Sequence, residues 1–98
     1  MKKVLIIDDD SDVLQLVGLI FKKAGTQVAM AHDGQESISK LYTDHPDLIT
    51  LDVMLPGADG FEVCRRIRQV SDTPIIILTP PNDEQIMLRG LEAGADVF

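Results

Sequence analysis

The sequence predicts a doubly wound α/β domain, a parallel sheet with helices packed on both faces. Three observations predict it. Short apolar runs alternate with amphipathic stretches of helical length over all 98 residues. Three of these runs, Val4-Leu5-Ile6-Ile7, Leu48-Ile49-Thr50-Leu51 and Ile75-Ile76-Ile77-Leu78, are apolar, and the second has the continuous character of a strand buried on both faces. Each then ends in a polar group: Asp8-Asp9-Asp10, Asp52 and Thr79.

The elements follow in order. The first strand spans roughly residues 3–8. A helix from Ser11 to Ala24 places Val13, Val17, Ile20 and Ala24 on one face, with Asp10 or Ser11 as N-cap and Gly25 as its stop. A weaker strand covers Gln27 to Ala31, and a helix runs from about Gln35 to Thr43. His45-Pro46 ends that helix, because the residue before a proline avoids the right-handed α region. Asp47 to Asp52 forms the third strand. Asp59 caps a helix from Gly60 to Gln69 that buries Phe61, Val63 or Cys64, and Ile67, leaving Arg65, Arg66 and Arg68 in water. Pro74 to Thr79 is the fourth strand. Asn82 with Gln85 reads as a capping box for a helix closed by Gly94, and Asp96-Val97-Phe98 opens a fifth strand.

Composition narrows the function. Sixteen Asp and Glu against nine Lys and Arg give a net charge of −7. No basic stripe exists, which argues against direct nucleic-acid binding by this segment. The single Cys64 excludes an internal disulfide and fits a reducing cytoplasm. The apolar run after Met1-Lys2-Lys3 is too short for a signal peptide or a membrane span. One cytoplasmic domain over residues 1–98 is expected.

Right-handed crossovers bring the ends of parallel strands to one sheet edge, where ligands of such folds bind. Asp8, Asp9, Asp52 and Thr79 would meet there. Carboxylates at the rim of a core are costly unless a cation neutralises them. Mg²⁺ suits the cluster, since it takes oxygen ligands and keeps waters for an incoming phosphate. Asp10 reads as a helix cap, Cys64 as a small buried hydrophobe, and His32 and His45 as surface residues.

Five segments in register carry a family resemblance: Val4 to Asp10, Leu51-Asp52-Val53-Met54-Leu55-Pro56-Gly57, Asp59-Gly60-Phe61-Glu62-Val63, Ile77-Leu78-Thr79, and Gly90-Leu91-Glu92-Ala93-Gly94-Ala95-Asp96. Together they resemble the receiver domain of two-component response regulators. The resemblance implies a flavodoxin-like fold with strand order 2-1-3-4-5. It implies that Asp52 is the phosphoacceptor, forming an aspartyl phosphate. Asp9 would bind Mg²⁺ directly and Asp8 through water, with Asp52 and the Met54 backbone carbonyl completing the protein ligands. Thr79 would donate its hydroxyl to a phosphoryl oxygen, and Phe98 occupies the position of an aromatic switch residue. A histidine kinase or phosphotransfer protein is the implied phosphodonor. The domain would be a switch that catalyses only its own phosphorylation and dephosphorylation, changing a partner surface on the fourth helix and fifth strand.

Two departures from the family stand out. Its site lysine would fall beyond Phe98, and Lys22, Lys23 and Lys40 lie in helices and do not replace it. The last strand is thus incomplete and the last helix missing, so the sequence reads as a truncated fragment. The uncovered apolar face favours homodimer formation, and an output domain beyond residue 98 is compatible with this reading. Secondly, Pro80 follows Thr79 and has no N–H for a phosphoryl oxygen. Two other functions compete: a degenerate receiver acting as a constitutive interaction module, and a haloacid-dehalogenase-like phosphatase fragment using Asp8-x-Asp10. A dinucleotide site is disfavoured, because no Gly-x-Gly-x-x-Gly follows the first strand.

Overall fold

A computed structural model describes residues 2–52, 59–78 and 84–96. Strands and helices alternate as β1 (Lys3–Ile7), α1 (Ser11–Lys23), β2 (Gln27–Ala31), α2 (Gly34–Asp44), β3 (Leu48–Asp52), α3 (Gly60–Val70), β4 (Ile75–Leu78) and α4 (Glu84–Glu92). The strands pair in parallel in the order β2-β1-β3-β4, which is the described part of the expected topology. Ile7 lies opposite both Ala31 and Leu51, and Asp52 lies opposite Leu78.

Alternation along each strand divides the core between two faces. Leu5, Ile7, Ile49, Leu51, Ile75 and Ile77 meet Leu41 of α2 and Phe61, Val63, Cys64 and Ile67 of α3. Val4 and Ile6 meet Leu14 of α1, with Val17, Phe21, Val28, Met30 and Leu48 packed around them. Each large side chain so buried contributes about 1.5–3 kcal/mol. That burial fixes the strands, and with them the residues at their ends.

Helix starts are set by aspartates. Asp10 accepts from the N–H groups of Asp12 (2.9 Å) and Val13 (3.4 Å), Asp33 from Glu36 (2.7 Å), and Asp59 from Phe61 (2.9 Å). His45 ends α2 in the left-handed region (φ 47°), which avoids the conformation that Pro46 disfavours. Gly94 (φ 103°) closes the turn after α4, a geometry suited to glycine. Asn82, the expected cap of α4, lies outside the described residues, as do Val97 and Phe98 of the expected fifth strand. Asp96 does approach β4, its N–H donating to Ile75 O at 3.0 Å.

Two expectations need correction. The buried stripe of α1 runs through Leu14, Val17, Gly18 and Phe21, while Ile20 is 60% exposed and Ala24 is exposed. Gly18 lies on the face turned towards β2. A Cβ there would come within 2.6 Å of Met30 Cε. Arg68 does not face water; only 19% of its side chain is exposed. Its Nε donates to Gly94 O (2.7 Å), its Nη1 to the carbonyls of Thr73 (2.6 Å) and Ser71 (3.3 Å), and its Nη2 to the Asp96 carboxylate. The same carboxylate accepts from Ile75 N–H at 2.9 Å. Arg68 thus ties the end of α3 to the start of β4 and to the turn after α4.

Removing it leaves several half-buried acceptors unpaired, so Arg68→Ala is expected to cost about 2–3 kcal/mol in urea unfolding. Arg66→Ala, at an exposed position, is expected to stay within about 0.5 kcal/mol. Equal effects would show that the Arg68 contacts add nothing.

Candidate functional site

The site is built by register. Ile7 of β1 pairs with Leu51 of β3, so the next residues, Asp8 and Asp52, emerge side by side at the carboxyl edge. Asp9 follows Asp8 on the connection to α1. Carboxylate oxygens of Asp8, Asp9 and Asp52 all lie within 4.8 Å of one another. Asp8 is buried, Asp52 half-buried and Asp9 exposed, so the cluster opens to solvent on one side.

Asp8 is the most constrained of the three. Its N–H donates to Ala31 O at 3.1 Å, and its Oδ1 accepts from Asp10 N–H at 3.0 Å. Burial pushes its carboxyl above the ordinary pKa. The Asp10 N–H opposes this, and the neighbouring charges of Asp52, Asp9 and Asp10 add to it. Among the described residues no Lys or Arg forms an ion pair with Asp8 or Asp9. Two unit charges 4.8 Å apart repel by about 3–4 kcal/mol at an effective dielectric constant near 20, and water at the open side reduces that.

The donor set is three carboxylates with no His or Cys, which fits a hard divalent cation such as Mg²⁺. Three of the expected site residues are therefore brought together. Thr79 directly follows Leu78, the residue paired with Asp52, but Thr79, Met54, Phe98 and Pro80 lie outside the described residues. Asp10 serves as a helix cap, His32 and His45 are exposed, and Cys64 is buried with its thiol donating to Ala93 O at 3.5 Å, all as expected. Burial raises the Cys64 thiol pKa although Arg68 pulls it down, which suits a packing role. Arg68 departs most from its sequence expectation, being largely buried. Its spacing of seven from Phe61 and four from Cys64 puts it on the buried stripe of α3, and that was the available signal.

The folded chain holds the Asp8 proton more tightly than the unfolded chain does. Asp8 therefore favours folding below the ordinary carboxylate pKa, and that contribution is lost as pH rises through its raised folded value. At neutral pH without divalent cations, Asp8→Asn should match or exceed the parent in thermal stability. The difference should vanish below about pH 4. Asn retains an acceptor for the Asp10 N–H, so the comparison isolates charge. Added Mg²⁺ should raise the melting temperature of the parent and leave that of the variant nearly unchanged. Equal Mg²⁺ stabilisation of both would contradict the site.

Residues 4–98 match the response regulator receiver domain family. The chain is 48% identical to the transcriptional regulatory protein AfsQ1 of Streptomyces coelicolor over 98 residues, all of this chain and 44% of that protein. It thus spans less than half the length of that relative. Its fold is similar to a two-component response regulator from Clostridium difficile (TM-score 0.94, 34% identity, covering 99% of this chain and 80% of that one). It is also similar to the beryllofluoride-activated N-terminal receiver domain of Klebsiella pneumoniae RstA (TM-score 0.88, 33% identity, covering 98% and 82%). A parallel sheet of order 2-1-3-4, an acidic cluster at its carboxyl edge and a match over nearly the whole sequence lead to one conclusion: the chain belongs to the receiver domain family of two-component response regulators.

Proposed function

We propose that this receiver accepts a phosphoryl group on Asp52 from a histidine kinase or phosphotransfer protein, in a Mg²⁺-dependent reaction. The observation that carries this reading is the convergence of Asp8, Asp9 and Asp52 at the edge where β1 and β3 end. Asp52 is the nucleophile of this proposal, because it is more open than Asp8 and stands at the end of a strand that cannot shift. Asp8 and Asp9 hold the cation, joined by Asp52 and the Met54 carbonyl. Bound there, Mg²⁺ would screen the nucleophile from the phosphoryl oxygens and offset charge in the transition state. Thr79 is the proposed hydroxyl donor to the modified Asp52, and Phe98 the aromatic position that responds to it. The wider partners proposed are a second copy of the chain and an output domain beyond residue 98. Among the described residues no helix is long and apolar enough to cross a membrane. A cytoplasmic location is part of the proposal.

Pro80 supports a second reading, a receiver that binds partners constitutively, because it removes one N–H from the phosphoryl cradle. Loss of one charge-assisted hydrogen bond costs about 1.5–3 kcal/mol if nothing replaces it. The intact acidic trio favours the phosphoacceptor. A phosphatase using Asp8 and Asp10 is disfavoured, since Asp8 is buried and Asp10 is engaged as the cap of α1.

Incubation with a small-molecule phosphodonor and Mg²⁺ should add one phosphoryl group per chain, located at Asp52 by peptide mass spectrometry. Asp52→Asn or chelation of the cation should abolish labelling. Label on Asp8 would support the phosphatase, and no label with no Mg²⁺ affinity would support the constitutive module. Pro80→Ala should increase the labelled fraction. An unchanged fraction would show that the missing N–H is replaced.

A further inference from the structure

At the amino edge of the sheet, opposite the acidic cluster, the C-terminal ends of α2 and α3 border a half-open cavity of about 280 Å³. Leu41 and Pro46, both buried, line it together with Tyr42, which is 58% exposed, and Val70 of α3, which is 50% exposed. Its polar lining is Ser71, Thr73 and His45, and among the described residues no Lys, Arg, Asp or Glu lines it. The turn through Ser71 and Thr73 is fixed, because Arg68 Nη1 donates to both of their carbonyls. Ser71 Oγ accepts from Thr73 N–H at 3.0 Å and lies 2.7 Å from Thr73 Oγ1, which donates to Pro46 O at 3.4 Å. With the Thr73 proton directed to Pro46, Ser71 is the donor to Thr73. Both hydroxyl protons are then used, and each oxygen keeps one lone pair. The negative ends of both helices also lie here. α2 has no basic residue in its last turn to offset this, whereas α1 has Lys22 and Lys23. The charge of Arg68 is taken up by Asp96. His45, the cap of α2, is the one non-glycine among the described residues with a positive φ, so backbone strain is stored beside the cavity.

We propose that this cavity is a binding site for a small uncharged aromatic compound that carries an O–H or N–H donor, of the phenol or aniline type. Its volume lies just below the roughly 300–1,000 Å³ of sites for drug-sized ligands, which suits one ring with a short substituent. Leu41, Pro46 and Val70 supply apolar contact, and the exposed Tyr42 ring supplies a face for offset stacking. The polar lining calls for a donor, because the open lone pairs of Ser71 and Thr73 and the negative helix ends can only accept. A ligand with acceptors alone leaves those groups without a partner. An anion meets two negative helix ends and no lining cation. The lining residues precede β3 and β4, whereas Asp8 and Asp52 stand at strand ends, so the proposal does not rest on the phosphoacceptor reading.

Titration of the isotope-labelled chain with phenol, aniline, anisole and benzoate, followed by backbone amide shifts, tests the site. Phenol and aniline are expected to shift residues 41–45 and 70–73 saturably, with a dissociation constant of about 1 mM, and to leave residues 8–10 and 52 unmoved. Anisole keeps the ring and lacks the donor, so it should bind about 3- to 10-fold more weakly than phenol. Benzoate should leave these residues unshifted. Ser71→Ala should narrow the difference between phenol and anisole. Tyr42→Ala, at an exposed position that the fold does not depend on, should weaken both about 3- to 10-fold. Equal binding of phenol and anisole, or binding of benzoate at least as tight as that of phenol, would overturn the ligand class. Shifts that do not saturate or are scattered over the chain, or unchanged phenol binding by Tyr42→Ala, would overturn the site.

Discussion

The close placement of Asp8 and Asp52, two carboxylates that strand register keeps from moving apart, is the constraint on which the site depends. Asp8 and Asp52 extend directly from β1 and β3, whose residues Ile6, Ile7, Ile49 and Leu51 are fully buried. Separating the two acids would mean shifting a strand register, and a one-residue slip turns every apolar side chain to the wrong face. The core therefore holds the charges together at their cost. Asp8 shows the result in its raised proton affinity, caused first by burial and then by its acidic neighbours. A divalent cation bound there would relieve this strain without movement of the backbone, which is the property of a preorganised binding site.

The opposite end of the sheet solves a different problem. There Arg68 gathers the carbonyls of Ser71, Thr73 and Gly94 and the Asp96 carboxylate around one guanidinium. Its planar fork of donors suits several acceptors in fixed directions, which a lysine could not match. The edge away from the site is thereby tied down, and with it the C-terminal end of α4. A firmly tied base beneath the carboxyl edge keeps the strand ends, and the acids they carry, in fixed positions.

Most of this architecture was legible in the sequence, because parallel strands and aspartate caps announce themselves locally. Val4 to Ile7 and Ile75 to Leu78 read as strands, Leu48 to Leu51 as one buried on both faces, and Asp10 and Asp59 fall where helices begin. The acidic cluster followed from topology alone, since right-handed crossovers leave one edge for the strand ends. What failed was rotational detail. The stripe of α1 is ambiguous in the sequence because apolar residues crowd positions 13–21, with Gln15 the one polar residue among them, so that several faces compete. The charge of Arg68 points to solvent, whereas its position on the buried stripe of α3 points inward, and position decides. The pairing of Arg89 with Asp59 and Phe61 joins residues far apart in the chain and leaves no periodic trace.

Strand register sets Asp8 and Asp52 side by side, and with Asp9 they are expected to form one cation site. Titration with Mn²⁺, followed by paramagnetic broadening of assigned backbone amide resonances, tests it most directly. Saturation at one ion per chain is expected, with early loss of signals from residues 8–10 and 52 and none from the Arg68 end of the sheet. Weak, unsaturable broadening, or broadening centred on other acids such as Asp33 and Glu36, would contradict it.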